Sequence, residues 1–281
     1  MFPKIAIKKV VVGSEDPNPL VAGKGIEALR RHGVEVAVGT LEAECQKLNE
    51  VFFHYIKTNT PYVVMKYAMT MDGKIAAHTG QSKWITGEAA RYNVHMDRKR
   101  YAAVMIGAGT AVKDDPLLTC RIPDGKDPVR IVCDTNLRTP LNSQILKTAQ
   151  NVATIIATSC ADEEKIKPYA SAGCKIITVS KKDGHVNLNE LMTRLGEEKI
   201  DSILLEGGGE LNWSALESGI VNKVQAYIAP MIFGGISAPS PVGGCGVDDS
   251  GNAYFLINSA VSMFGCDMLI ESEVARKCSQ E

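Results

Sequence analysis

The hydrophobic residues of this 281-residue chain fall into two patterns that alternate from Pro61 onward. Short runs of nearly continuous apolar character occupy residues 62–69, 102–106, 129–133, 152–158, 175–179, 202–205 and 223–228. Runs of this length bounded by turn residues predict strands buried on both faces. Between several of them, at residues 86–100, 162–170, 188–195 and 210–217, apolar positions recur at helical spacing. This alternation predicts an α/β class with a mostly parallel sheet. After Pro230 the chain is rich in Gly and Pro as far as Gly251, and two weaker runs, 253–261 and 264–270, are predicted to pair as antiparallel edge strands. Residues 274–281 are expected to fray.

Ahead of Pro61 the pattern changes. Residues 7–12 are a β-branched run, 14–19 a turn containing D-P-N-P, 20–31 a helical period stopped at Gly33, 34–38 a second strand, and 41–55 an amphipathic helix. Two strands and two helices are marginal as an independent core, so this βαβα unit is expected to pack on the C-terminal part of the chain or to be the remainder of a larger domain. The boundary is predicted at residues 58–61, dividing the chain into 1–60 and 61–281.

Composition removes several function classes. A hydrophobic content of 45% supports a full core, and a formal charge of −1 without a basic block argues against a nucleic-acid partner. No apolar run approaches the length of a membrane span, and the first residues lack the apolar core of a signal peptide. The eight cysteines are scattered without a C-x-x-C pair, which fits reduced thiols in a cytoplasmic protein.

The stretch 200–214, I-D-S-I-L-L-E-G-G-G-E-L-N-W-S, carries the strongest chemical signal. A buried strand ends on Glu206, and three glycines then open a helix whose first N–H groups lack intrahelical partners and attract anions. A sharp corner alone would also use such a triplet. Lys66 lies inside the apolar run 62–69 and must reach solvent, pair with a carboxylate or meet a ligand; Glu206 is a candidate partner across the sheet. In G-Q-S-K-W-I-T-G-E, Thr86 is the expected N-cap of the next helix, and Trp84 reads either as a core aromatic or as a stacking surface. Arg91, His95 and Arg98 share a helix face, read for the first two as a solvated charged face. The turn 107–112 lacks the third glycine of a dinucleotide fingerprint but can still offer N–H groups and the Thr110 hydroxyl to a phosphate. No Walker, zincin, nucleophile-elbow or zinc-deaminase signature occurs, and the five histidines stand apart, so no metal site is expected.

Four stretches together, D-P-N-P-L-V-A-G-K-G (16–25), M-D-G-K-I-A with G-Q-S-K-W-I-T (71–76 and 80–86), G-A-G-T-A-V-K-D-D-P-L-L-T-C-R (107–121) and L-L-E-G-G-G (204–209), closely resemble the bifunctional deaminase/reductase of riboflavin biosynthesis. The resemblance implies a dihydrofolate-reductase-like fold for 61–281 and use of NADPH to reduce 5-amino-6-(5-phosphoribosylamino)uracil. It implies cofactor contacts at Ala68, Trp84, Thr110, Asp114, Thr158, Gly208, Gly209, Glu210, Leu211, Asn212, Trp213 and Ser214. Substrate contacts are implied at Ser82, Arg98, Leu118, Arg121 and Glu206, with Lys66 near the substrate and Lys66 and Glu206 as the catalytic pair. Residues 1–60 are similar to the back half of a cytidine-deaminase-like domain, and the zinc segments that precede D-P-N-P in the family are missing, so deamination is not expected. The partners implied are a small phosphorylated pyrimidine and further copies of the chain, as a dimer or tetramer. Another pteridine or pyrimidine reductase of the same fold, or a ligand-binding protein without turnover, are the alternative readings.

Overall fold

The computed structural model describes residues 7–18 and 20–275; Cys278 and the end of the segment expected to fray lie outside them. The chain opens with β1 (Lys9–Val12), α1 (Lys24–Arg31) and β2 (Glu35–Val38), the two strands pairing in parallel as a sheet of their own. The expected single helix at 41–55 is two, α2 (Glu42–Leu48) and α3 (Glu50–Thr58), separated at Asn49. Then come β3 (Tyr62–Thr70), α4 (Glu88–Arg100), β4 (Ala103–Gly107), α5 (Ala108–Asp114), β5 (Val129–Cys133), α6 (Gln144–Lys147), β6 (Thr154–Thr158), α7 (Glu163–Ser171) and β7 (Lys175–Thr178). A two-strand ladder, β8 (Lys181–Lys182) with β9 (His185–Val186), precedes α8 (Leu188–Glu197), β10 (Ser202–Leu205), α9 (Gly209–Glu217), β11 (Val221–Ala229), β12 (Leu256–Phe264) and β13 (Asp267–Val274).

Nine strands form the main sheet in the order β12-β13-β11-β3-β10-β4-β5-β6-β7. The seven from β11 to β7 run parallel, as the alternating pattern predicts, and β13 pairs antiparallel with both β11 and β12. The final hairpin starts later than expected because Phe264 is still strand and the left-handed turn falls at Gly265. Successive strand residues point to opposite faces. Val63, Met65, Met105, Ile131, Ile203 and Leu205 therefore pack with α8, while Val104, Ile106, Val132 and Ile156 pack with Ile145, Leu146 and Tyr169. Over β3, β11 and β13 the second face is covered by α4 through Ala90 and Val94 against Tyr227 and Leu269.

One expectation about helix placement changes. Thr86 does not cap α4; the N-cap is Gly87, whose N–H donates to Asp267 Oδ2 at 2.7 Å, so β13 supplies the cap in place of a local side chain. The end of the segment before Pro61 packs on the main sheet, one of the two expected outcomes. Val51 of α3 packs on Tyr62, Val64 and Leu204, Glu50 accepts hydrogen bonds from Tyr62 and Lys223, and Tyr55 Oη donates to Gly196 O at 2.9 Å. A Cβ at Gly196 would lie 1.8 Å from Asn59 O, so only glycine lets the α3 end dock there. No helix among the described residues is long and apolar enough to cross a membrane.

Candidate active site

The C-terminal ends of β3, β10, β4 and β5 open onto one side of the sheet, where parallel strands deliver ligand-binding residues. Glu206 is the residue after β10, kept in line by its N–H to Met105 O at 2.9 Å. Arg98, one turn from the end of α4, meets it with both arms of its fork: Nε to Oε1 at 2.7 Å and Nη2 to Oε2 at 2.8 Å. Arg98 Nη1 also donates to Thr119 O at 3.0 Å, tying the loop after α5 to the pair. Burial alone would raise the Glu206 carboxyl, but the Arg98 charge and its two hydrogen bonds overcome it and hold the group well below the usual carboxylate range. Glu206 is thus a fixed anion.

Lys66 is the next member of the row. Leu205 stands opposite Met65, which brings Glu206 abreast of Lys66 on the face covered by α4. The expected Lys66–Glu206 pairing is replaced by Arg98–Glu206, because the fork satisfies both carboxylate oxygens. Lys66 Nζ lies 5.6 Å from the centre of the Tyr227 ring. Burial lowers the lysine, with Glu206 opposing and Arg98 reinforcing that shift. An ammonium so placed gives up its proton more readily than a solvated one.

Arg91 and His95 are not a solvated face. The Arg91 guanidinium sits 4.7 Å over the exposed Trp84 ring and donates to Thr86 O, so Trp84 is a stacking surface and not a core aromatic. His95 Nδ1 accepts the Arg121 N–H at 3.2 Å, and Arg121 Nη2 lies 3.4 Å from Nε2. Burial and the neighbouring arginines lower His95. The exposed Arg121 guanidinium, on the same loop as Thr119, is a cation available to a phosphate. Leu118 beside it is buried with φ 55°, a wall of the loop.

Next to this row lies a cleft of about 460 Å³ between the turns β4–α5 and β10–α9. Ser82, Thr110, Asp114, Gly208, Gly209, Glu210, Leu211 and Ser214 line it, all singled out by the resemblance. Asn212 and Trp213 do not: helical spacing turns them away, Asn212 to donate to Pro241 O at 2.8 Å and Trp213 to pack edge-on against Tyr254. Thr158 is fully buried and donates to Thr135 O, and it is Thr135 that reaches the cleft. Ala68 packs under α4. Lys113, Arg138 and His185 also line the cleft and were not anticipated. The signal for Arg138 was a polar turn after a buried strand, organised by Asp134, which accepts the N–H groups of Arg138 and Thr139.

The glycine triplet serves the protein's own packing. A Cβ on Gly207 would lie 2.9 Å from Asn212 Oδ1, on Gly208 3.3 Å from Thr110 Oγ1, and on Gly209 3.0 Å from Ser240 O. None of the three has a positive φ. Glycine therefore lets α5 and the 239–243 loop close on the start of α9, which carries no side-chain cap and leaves its first N–H groups free for an anion. Free N–H donors and three basic side chains, beside the carboxylates of Asp114 and Glu210, make the cleft able to hold an anionic ligand.

Comparison with known proteins identifies the family. The family described as the RibD C-terminal domain matches residues 61–269. The riboflavin biosynthesis protein RibD of Actinobacillus pleuropneumoniae is 51% identical over 265 residues, covering 94% of this chain and 70% of the relative. That of Aquifex aeolicus is 38% identical over 266 residues, covering 94% and 72%. Among solved structures, Acinetobacter baumannii RibD superposes with a TM-score of 0.82 at 30% identity, covering 96% of this chain and 73% of that one. A diaminohydroxyphosphoribosylaminopyrimidine deaminase/5-amino-6-(5-phosphoribosylamino)uracil reductase from Thermotoga maritima gives 0.79 at 33% identity, covering 96% and 72%. In sequence and in fold, the chain belongs to the RibD family of riboflavin biosynthesis proteins, with residues 61–269 matching its C-terminal domain.

Proposed function

We propose that the chain reduces 5-amino-6-(5-phosphoribosylamino)uracil to 5-amino-6-(5-phosphoribitylamino)uracil with NADPH. The observation that carries this reading is the row Glu206–Lys66, with Arg98 locking the carboxylate, set beside a cleft that fits a dinucleotide. When bound, the nicotinamide supplies hydride to C1′ of the sugar. Lys66 gives the proton that the departing ring oxygen takes up as the furanose opens, and Glu206 orients the ribose hydroxyls as a permanent acceptor. Arg121 takes the substrate phosphate, and Trp84 with Arg91 closes the mouth. A panel of pyrimidine and pteridine substrates followed by NADPH absorbance tests the assignment: turnover of a pterin and not of the uracil would place the chain elsewhere.

Cofactor choice rests on Lys113, Arg138 and His185 in the cleft, three basic side chains able to meet a 2′-phosphate. Arg138→Gln is expected to raise KM for NADPH by roughly tenfold to a hundredfold, the worth of a hydrogen bond to a charged group, and to leave KM for NADH unchanged. Equal losses for both cofactors would move the 2′-phosphate elsewhere.

The reading keeps residues 61–281 as the reductase and 1–60 as part of a deaminase-like domain, with α3 serving as a brace for the reductase sheet. The seven described cysteines are free thiols, which supports a cytoplasmic location. The strand β12 exposes Leu256, Ile257, Val261 and Met263 along an unpaired sheet edge, which supports a homo-oligomer; a monomer in sedimentation equilibrium would contradict it.

A further inference from the structure

The loop that follows α5 is fixed to α4 at three consecutive residues. Thr119 O accepts from Arg98 Nη1 at 3.0 Å, Cys120 Sγ donates to His95 O at 3.3 Å, and the Arg121 N–H donates to His95 Nδ1 at 3.2 Å. Asp127 adds a further tie by accepting the Cys120 N–H at 2.7 Å. The backbone at Arg121 is therefore held in place. Its guanidinium is exposed and ends beside the other ring nitrogen of the same histidine, with Nη2 3.4 Å from His95 Nε2.

A neutral imidazole has one acceptor nitrogen and one N–H. Arg121 brings two donors to the ring, its backbone N–H and its Nη2, so one of them must face a third donor. The pinned backbone N–H takes the acceptor, because a hydrogen on Nδ1 would oppose it and the backbone cannot turn away. The ring hydrogen is thus assigned to Nε2. Burial, then the charges of Arg98 and Arg121, lower His95, with Glu206 and the Thr119 carbonyl opposing, so near neutral pH the ring holds that single hydrogen. Nε2–H and the Arg121 fork are then two donors facing each other across 3.4 Å.

An oxygen that accepts from both relieves this arrangement, and an anionic oxygen does so best. The Glu206 carboxylate, whose charge reaches His95, is already held by both arms of Arg98. We propose that His95 is a substrate-binding residue whose Nε2–H closes, together with the Arg121 guanidinium, on the phosphate monoester of the substrate. The two ring nitrogens then have separate tasks: Nδ1 sets the loop, and Nε2 binds the ligand. This deepens, and rests on, the reading of Arg121 as the cation that takes the substrate phosphate.

Two variants separate the two nitrogens. The side-chain carbonyl of His95→Asn reaches about as far as Nδ1 and can keep the Arg121 N–H, but the chain stops short of Nε2. His95→Gln carries an amide N–H to the Nε2 position and gives up Nδ1. Binding of ribose 5-phosphate, ribose and inorganic phosphate is measured by calorimetry, with NADPH as a control for the cleft. Ribose 5-phosphate is expected to bind the asparagine variant roughly tenfold to a hundredfold more weakly than wild type, and the glutamine variant within about threefold of it. Ribose and NADPH should bind all three proteins alike. A histidine that only holds the loop predicts the reverse order, with glutamine the more damaging change, and that result overturns the proposal. So do equal binding of ribose 5-phosphate by all three proteins, no binding by wild type, and losses seen with inorganic phosphate alone. In wild type labelled with ¹⁵N-histidine, with His95 assigned from the glutamine variant, ribose 5-phosphate should move the Nε2 signal more than Nδ1; an unmoved Nε2 overturns the proposal even if the asparagine variant does not fold. Absence of uracil reduction with this binding pattern intact would instead sink the assigned reaction and leave the phosphate site standing.

Discussion

Replacing Lys66 by methionine is expected to lower kcat/KM for the uracil substrate by roughly a hundredfold to ten-thousandfold, the range over which a positioned proton donor acts. Methionine keeps an unbranched apolar stem, so the space beside Tyr227 stays filled while the proton donor is lost. NADPH affinity should be unchanged, because Lys66 lies on the face under α4 and does not line the cleft proposed for the cofactor. Stability should hold or rise, since burial lowers the lysine and its removal ends that cost. Steady-state kinetics with both ligands, together with a melting curve, separates the cases. A fall in melting temperature with kcat/KM intact would make Lys66 a structural residue.

Arg130→Leu is expected to be the most damaging single change to stability. Arg130 is fully buried, and its hydrogen-bond acceptors are all uncharged: Thr154 Oγ1, Thr148 Oγ1 and the carbonyls of Leu117, Ile145 and Val152. One guanidinium thus joins β5 to the 145–154 segment and to the loop that carries Leu118, Thr119 and Arg121. Leucine would leave those acceptors without a donor in the core, at about 3–5 kcal/mol, or roughly 10 °C in melting temperature. Lysine should not restore it, having no planar fork to span separated acceptors. A loss of under about 2 °C would show that water replaces the guanidinium without cost.

The parallel sheet was legible because its strands are buried on both faces, so apolar runs such as 202–205 stand out without reference to anything distant. Glu206 was legible for the same reason, as a carboxylate where such a run stops. The N-cap of α4 was not, because its acceptor comes from Asp267, far away in sequence, while the local pattern offered Thr86. His95 and Arg91 read as solvated because a charged helix face looks the same whether it meets water or a loop, and here the loop carrying Arg121 and the Trp84 ring cover it. The basic side chains of the cleft, Lys113, Arg138 and His185, come from three elements brought together only by sheet order. Asn212 and Trp213 were expected to touch the cofactor, but within the helix predicted at 210–217 and found as α9 their spacing directs them away from the cleft.

The central claim is that hydride passes from a nicotinamide in the cleft to the sugar carbon held beside Lys66 and Glu206. A single-turnover reaction with NADPH deuterated on one face of nicotinamide C4 at a time, analysed by NMR of the phosphoribityl product, tests it most directly. Deuterium at C1′ from one of the two isotopomers, and from neither with Lys66→Met on the same timescale, is the predicted result. Deuterium in the pyrimidine ring, or NADPH oxidised without label in the product, would contradict it.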